Sequence, residues 1–327
     1  MIIAVDAMGG DRAPGAVVEG ALHAARDRAV EVILVGQSSA IAAELARHDS
    51  TASVRVIEAP DVIEMHEAPL AALRRKPRAS VRVAAELVAA GEAGAFFSAG
   101  HSGAACLAAH GAFGLLPQVD RPALAVTVPT LTGVAVLLDA GANLDCRPAH
   151  LVQFAHMGAA YAPLAMSLAG RPRVGLLSIG EEAGKGNDLT REAHLLLRGA
   201  AIEYIGNIDA RDMFTGRADV IVCDGFTGNV ALKVGEGVVE AIEQMLREEL
   251  DAALVSQIGA LLSRRAFARF RQRVDYAEYG AAPLLGLRQL ALVGHGRSSP
   301  RAVASGIAMA AQLAHAGVVP HLASALQ

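Results

Sequence analysis

Short runs of Val, Ile, Leu and Ala recur along the chain between longer stretches whose apolar positions return every three or four residues. That alternation is the punctuation of βαβ units and a parallel sheet. It predicts strands over residues 2–5, 31–35, 54–57, 95–98, 123–128, 134–138, 173–179, 202–205, 220–223 and 290–293. Helices are expected over 15–28, 38–48, 82–90, 103–113, 148–168, 189–198, 229–250 and 301–315, with Pro148 suited to a first helical turn and Asn229 read as an amino-terminal cap.

The run V-G-L-L-S-I from Val174 breaks at Gly180 into a loop carrying Glu181, Glu182, Lys185 and Asn187. A buried strand there delivers polar groups to its carboxyl end, where open α/β sheets bind ligands. The loop is not a nucleotide-binding P-loop. Gly180 and Gly184 stand one residue too close, and Gly186, not a hydroxyl residue, follows Lys185.

Residues 251–279 follow another pattern. Leu254, Val255, Ile258, Leu261 and Leu262 share one helical face, whereas Phe267, Phe270 and Val274 share a face turned by about half a revolution at ~100° per residue. Two short amphipathic helices explain that break in phase. No repeat, low-complexity tract or Pro/Ser linker divides the 327 residues, so the expectation is a single α/β domain over 1–327 that includes 251–279.

Composition narrows the partners. Hydrophobic residues make up 53% of the chain, ample for a core, and 29 Lys plus Arg against 33 Asp plus Glu leave a net charge of −4. That balance gives no reason to expect nucleic acid. Cys106, Cys146 and Cys223 lack metal-ligand spacing, which points away from a disulfide framework or structural zinc and towards a reducing, cytoplasmic compartment. The first residues carry Asp6 and no basic leader, as a first strand would, and no apolar stretch is long enough to span a bilayer.

Glycine-rich polar loops close several strands: Asp6 to Asp11, Ser98 to Gly103, Asp139 to Asn143, the Gly180 loop, and Asp224 to Asn229. Each is either an ordinary tight turn or an anion site built from close backbone approach and a helix amino terminus. Lys76, Lys185 and Lys233 are the only lysines beside 26 arginines, and they sit near such loops or on a solvated surface. His101 and His295 are open to roles as acid, base or turn residue. The sequence has no G-x-S-x-G elbow, no H-E-x-x-H and no G-x-G-x-x-G.

Six ordered stretches resemble the phosphate acyltransferases of bacterial phospholipid synthesis: D-A-M-G-G-D from Asp6, S-A-G-H-S-G-A from Ser98, D-A-G-A-N-L-D-C-R-P from Asp139, G-E-E-A-G-K-G-N from Gly180, C-D-G-F-T-G-N-V-A-L-K from Cys223 and Y-G-A-A-P-L-L-G from Tyr279. The resemblance implies a doubly wound three-layer α/β sandwich like that of phosphotransacetylases and isocitrate dehydrogenase relatives, with 251–279 protruding. It implies a homodimer, peripheral to the inner face of the cell membrane, that uses no metal or nucleotide cofactor and forms acyl phosphate from acyl-[acyl carrier protein] and inorganic phosphate. His101-Ser102 replaces the family's usual Asn-Thr, Pro77-Arg78-Ala79 its Lys-Asp-Ser, and Ala281 its Gly.

On this reading Lys185 and Asn229 are the catalytic candidates, one holding phosphate and the other meeting the developing oxyanion. Candidate phosphate- and substrate-binding residues are Asp6, Gly9, Gly10, Ser98, Gly100, His101, Ser102, Gly103, Asn143, Gly180, Asn187, Asp224, Gly228 and Lys233. Leu254, Ile258, Leu261, Leu262, Arg264, Arg265, Phe267 and Arg269, with Arg271 and Arg273, suit anionic headgroups or an acidic carrier protein; helices packed across a dimer interface are the other reading. The alternatives for function are a phosphotransacetylase-like enzyme using acyl-coenzyme A and a noncatalytic, acyl-carrier-binding membrane-docking protein.

Overall fold

A computed structural model describes residues 1–28, 30–48, 52, 54–274 and 280–326. In chain order the elements are β1 (Ile2–Asp6), α1 (Gly15–Arg28), β2 (Glu31–Gly36), α2 (Ser38–Leu45), β3 (Arg55–Glu58), α3 (Pro69–Arg75), α4 (Ser80–Ala89), β4 (Ala95–Ser98) and α5 (Ser102–Phe113). Next come β5 (Ala123–Leu124), β6 (Val126–Thr130), β7 (Gly133–Leu138), α6 (Pro148–Met166), β8 (Arg173–Ser178), α7 (Asp188–Leu197), β9 (Glu203–Asp209) and β10 (Val220–Val222). The chain continues through α8 (Gly225–Asp251), α9 (Leu254–Leu262), α10 (Arg264–Val274), β11 (Ala282–Leu285), β12 (Leu290–Val293), α11 (Pro300–His315) and α12 (Val318–Ala325).

The strands form a seven-stranded sheet, β3-β2-β1-β4-β12-β11-β5, and a five-stranded sheet, β6-β7-β10-β8-β9. The expected strand over 123–128 is divided at Ala125, its two halves pairing in different sheets. Both sheets are mainly parallel, with antiparallel pairing confined to β5, β6 and their partners and to β11 with β12.

Alternating side chains of the strands feed two cores, one on each face. Ile3, Val5, Phe97, Val136, Leu138, Val174 and Leu176 enter one cluster, and Ala4, Phe96, Ala135, Leu137, Leu177 and Ile221 the other. Each cluster draws on both sheets, so two helical layers cover a shared central layer. This is the three-layer α/β architecture expected of the sequence.

Sheet order fixes where ligands can enter. In the larger sheet the chain winds from β1 out to β3, then returns to place β4 on the other side of β1. In the smaller one it passes from β8 out to β9 and returns to place β10 between β7 and β8. Each reversal opens a crevice at the carboxyl ends of the flanking strands.

Two expectations need correction. Asn229 is not a helix cap: Asp224 holds that position, accepting from Thr227 N at 2.9 Å, and α8 begins four residues earlier than expected. The pattern also missed β11, α3 and α12. The break at 263 is as expected, since α9 and α10 are separate helices. Tyr279 lies outside the described residues, as do the side chains of 271–274.

Candidate active site

Asp6 and Ser98 close β1 and β4 directly opposite one another, at the first crevice. Ser98 Oγ donates to Asp6 Oδ2 at 2.7 Å, and Met8 N donates to Oδ1 at 3.3 Å. Burial pushes the Asp6 carboxyl up, against hydrogen bonds from Ser80, Ser98 and Met8 that favour the carboxylate. Gly9 and Gly100 bring the two loops into backbone contact: a Cβ on Gly9 would sit 2.8 Å from Gly100 N. Gly10 continues this contact towards the carbonyls of Ala99 and Gly296.

His101 is the cap of α5, its Nδ1 accepting from Gly103 N at 3.2 Å, and Ser102 begins the helix exposed to solvent. The recess that Asp6, Gly9, Ser80, Gly100 and His101 share encloses only about 10 Å³, the room of one water. Any substrate here must lie across the open side of these loops. A third loop, missed in the sequence except for His295, joins them: Asp11 N donates to Gly296 O at 2.8 Å and Gly294 N to Ser98 O at 2.8 Å.

The second crevice gathers the other candidates. Asp139, fully buried at the end of β7, is the hub of its loop. Its Oδ1 accepts from the backbone N–H of Leu124, Gly141 and Ala142 at 2.9–3.0 Å, and Oδ2 from Asn143 N at 2.7 Å and Asn143 Nδ2 at 2.8 Å. Burial pushes this carboxyl up, while hydrogen bonds from Ala142, the Asn143 side chain, Leu124 and Gly141 oppose the rise. Asn143 therefore braces the loop, also donating to Pro122 O at 2.7 Å. The start of α8 docks on it through Gly225 N to Asn143 O at 2.8 Å and through Gly228, where a Cβ would meet the Asp139 carbonyl at 2.0 Å.

Asn229 projects from this first turn beside Gly141, whose Cβ would lie 2.6 Å from Asn229 Nδ2. Lys233 follows one turn later on the same helix face, exposed. From neighbouring β8 comes the Gly180 loop. Lys185 is exposed, and its ammonium group has no ion pair or hydrogen bond among the described residues; the Asn229 side chain likewise has no hydrogen bond there. Both groups thus leave their full bonding capacity to a ligand, at the carboxyl ends of adjacent parallel strands.

Other candidates are committed to structure. Asn187 caps α7, its Oδ1 accepting from Thr190 N at 2.9 Å, and Gly180 is buried where a Cβ would meet Glu182 Oε2 at 2.9 Å. Glu181 pairs with Arg217 at 2.5 Å, not with Lys185, and that partner holds its carboxyl below the usual range. Lys76 is tied to Glu67 at 2.5 Å and to Val62 O at 2.6 Å, bracing the segment that lines the first recess. The hydrogen bonds described hold the two crevices as separate groups and do not join Asp6 or Ser98 to Lys185 or Asn229.

No group of three or more His, Cys, Asp and Glu is arranged to hold a metal ion among the described residues. Burial pushes the thiols of Cys106 and Cys146 up to about 12 and about 11, and that of Cys223 well up, so none is a ready nucleophile.

Beyond the core, α9 buries none of its residues, leaving Leu254, Val255, Ile258, Leu261 and Leu262 exposed. Arg264, Arg265 and Arg269 are exposed on α10, and Phe267 is half-buried. No single helix is long and apolar enough to cross a membrane among the described residues.

A family model described as "Fatty acid synthesis protein" matches residues 1–321. The chain is 50% identical over its full length to a protein named phosphate acyltransferase from Geobacter sp. (strain M21), covering 93% of that relative. It is 46% identical, again over its full length, to a phosphate acyltransferase from Geobacter sulfurreducens, covering 94% of it. Among solved structures it is similar in fold to a phosphotransacetylase from Streptococcus pyogenes, with a TM-score of 0.63 at 18% identity over 95% of this chain and 93% of that one. The EutD phosphotransacetylase from Staphylococcus aureus gives 0.61 at 17% identity, over 96% and 94% of the two chains.

Proposed function

Since the chain belongs to the phosphate acyltransferase family, we propose that it transfers a fatty acyl group from acyl-[acyl carrier protein] to inorganic phosphate, releasing the carrier thiol and an acyl phosphate for phosphatidic acid synthesis. That the protein is an acyltransferase follows from the family. The carrier and the pathway are the finer reading. The observation that carries the site is the presence of two polar groups without a protein partner among the described residues, the Lys185 ammonium on the loop after β8 and the Asn229 amide near the start of α8, which follow adjacent parallel strands.

The chemistry asks little else of the protein. A thiol with a pKa of about 8.5 leaves a thioester without a strong general acid. Phosphate is already an anion, so its approach to the carbonyl needs a cation and fixed donors more than a base. Lys185 holds the phosphate. Asn229 Nδ2 donates to the carbonyl oxygen as it becomes an oxyanion. The raised thiols of Cys106, Cys146 and Cys223 favour direct attack by phosphate over an acyl-cysteine intermediate. The loops around Asp6 and Ser98 complete the anion cradle in this reading, with the substrate spanning from one crevice to the other.

The decisive assay is phosphate-dependent release of thiol from purified acyl-[acyl carrier protein], run beside acyl-coenzyme A. Release from the carrier protein with equimolar acyl phosphate is expected. Release from coenzyme A alone turns the assignment to a phosphotransacetylase-like enzyme, and binding of the carrier without turnover turns it to a docking protein.

We place the protein in the cytoplasm, peripheral to the inner face of the membrane. The exposed Leu254, Val255, Ile258, Leu261 and Leu262 beside Arg264, Arg265 and Arg269 support contact with an anionic surface. A homodimer is supported by α8, where Val230, Val234, Val238, Ile242 and Met245 form an exposed apolar stripe at helical spacing.

A further inference from the structure

The loop that carries Lys185 is held from below by a residue no sequence pattern singles out. Glu182 O accepts two hydrogen bonds: one from Lys185 N at 2.9 Å, which closes the turn, and one from Asn207 Nδ2 at 3.1 Å. Asn207 stands on β9, 25 positions away in sequence and only 2% exposed. A buried amide donor spent on one loop carbonyl fixes that carbonyl, and through it the backbone from which the Lys185 side chain springs.

The strand is built to aim it. Pairing between β8 and β9 shifts by one residue at Val174/Gly175: Val174 lies opposite Tyr204, but Gly175 lies opposite Gly206. Ile205 is therefore extra, and Gly206 accommodates the bulge with a φ of 98°. In a regular strand residues three apart point to opposite faces. Here Tyr204 and Asn207 pair with Val174 and Leu176, two residues apart, and so share a face. Tyr204 OH donates to Asn207 Oδ1 at 3.5 Å, a long contact, and lies 2.8 Å from His194 Nδ1 on α7. The rings of His194 and Tyr204 meet edge to face with centroids 5.6 Å apart. His194 is 8% exposed and belongs to the helix that leaves the Lys185 loop, so the chain of contacts closes on both ends of that loop.

We propose that Asn207, oriented by the bulge at Gly206 and backed by Tyr204 and His194, is a positioning residue that sets the Lys185 loop for phosphate. The inference rests on the reading of Lys185 given above. Asn207 touches no substrate; it acts through the Glu182 carbonyl.

The test is steady-state kinetics of acyl phosphate formation with phosphate and acyl-[acyl carrier protein] varied in turn, on the full-length protein. Asn207→Ala is expected to lower kcat/KM for phosphate by about tenfold, the worth of one buried hydrogen bond. KM for the acyl donor should stay within about twofold, a split that general loosening of the fold would not give. Tyr204→Phe, which keeps the ring and removes the hydroxyl, should shift the same parameter by a few-fold in the same direction. It serves if Asn207→Ala fails to fold. Lys185→Ala with Asn207→Ala should lose no more than Lys185→Ala alone, because a group acting only through Lys185 has nothing left to position.

Three results overturn the inference. Asn207→Ala and Tyr204→Phe with unchanged phosphate kinetics remove it, and so does full additivity in the double variant. Near-normal turnover by Lys185→Ala removes it together with the role of Lys185, whereas absence of phosphorolysis in the unaltered protein removes the reaction itself.

Discussion

Lys185 and Asn229 differ from most polar residues around them in having no hydrogen-bond or ion-pair partner for their side chains among the described residues. Asp139, Asn143, Asp224 and Asn187 are each engaged in hydrogen bonds that hold loops and helix starts in place. Removing a buried partnered group such as Asp139 or Asn143 leaves a buried donor or acceptor unsatisfied, at a cost of about 1–3 kcal/mol in stability. Removing an unpartnered one does not. Lys185→Ala and Asn229→Ala should therefore unfold at the temperature of the unaltered protein and lose about a hundredfold or more in kcat. Paired thermal unfolding and turnover measurements check this, and near-normal turnover by either variant rules out its assigned role. Asp139→Ala should do the opposite: five donors lose their acceptor, and the unfolding midpoint drops before any question of catalysis arises.

At the scale of elements, the two ends of the smaller sheet have different tasks. The carboxyl ends of β8 and β10 carry the Lys185 loop and Asn229, whereas their amino ends are clasped by an ion pair. Arg173 Nε and Nη2 donate to Asp219 at 3.0 and 2.8 Å, and Arg173 N adds a third bond at 2.8 Å. Burial alone would raise the Asp219 carboxyl; the Arg173 hydrogen bonds and charge outweigh it and leave it lowered. A carboxyl lowered in the folded state adds stability above its unfolded pKa of about 3.9, and that stability is lost as pH falls through the folded value. Asp219→Asn should thus lose about 1–2 kcal/mol at pH 7, discounted because the Arg173 side chain is 42% exposed. As pH falls through the lowered folded-state pKa of Asp219 the loss should shrink. Urea titrations at pH 7 and across that acidic range read it directly. The protruding pair α9 and α10 is a separable element. Leu254→Glu with Ile258→Glu should abolish sedimentation with anionic vesicles while soluble activity persists, because neither residue is buried in the fold. Unchanged sedimentation would refute the lipid role.

For the whole molecule, an apolar feature that the fold itself does not use is the exposed stripe along α8, from Val230 to Met245. A lone protein seldom exposes so continuous a face. Val234→Asp with Ile242→Asp should convert a dimer to a monomer in sedimentation equilibrium, and a dimer of unchanged strength would place the interface elsewhere. Because the stripe shares its helix with Asn229 and Lys233, assembly and catalysis would then be linked through one rigid element.

Much of this protein was legible in one dimension. Parallel strands buried on both faces read as continuous apolar runs, and loops at their carboxyl ends stand out by glycine and charge, which is why the elements around Lys185 were found almost to the residue. Sequence erred where packing overrides local preference. Gly225 and Gly228 look like loop residues, yet α8 takes both in: Asp224 caps the helix ahead of them, and they are glycine because the Asn143 and Asp139 backbone leaves no room for a Cβ. β11 was hidden by Pro283, which cannot donate to a strand ladder and so argues against a strand from sequence alone. Asn207 gave no signal at all, since its direction depends on a one-residue slip against β8 that exists only once both strands are paired. Periodicity and residue chemistry, local properties, determined where the strands, helices and glycine-rich polar loops fall. Tertiary structure alone decided which polar groups are consumed in holding the loops and which, like Lys185 and Asn229, have no protein partner among the described residues, because hydrogen-bond partners distant in sequence meet only in the folded chain.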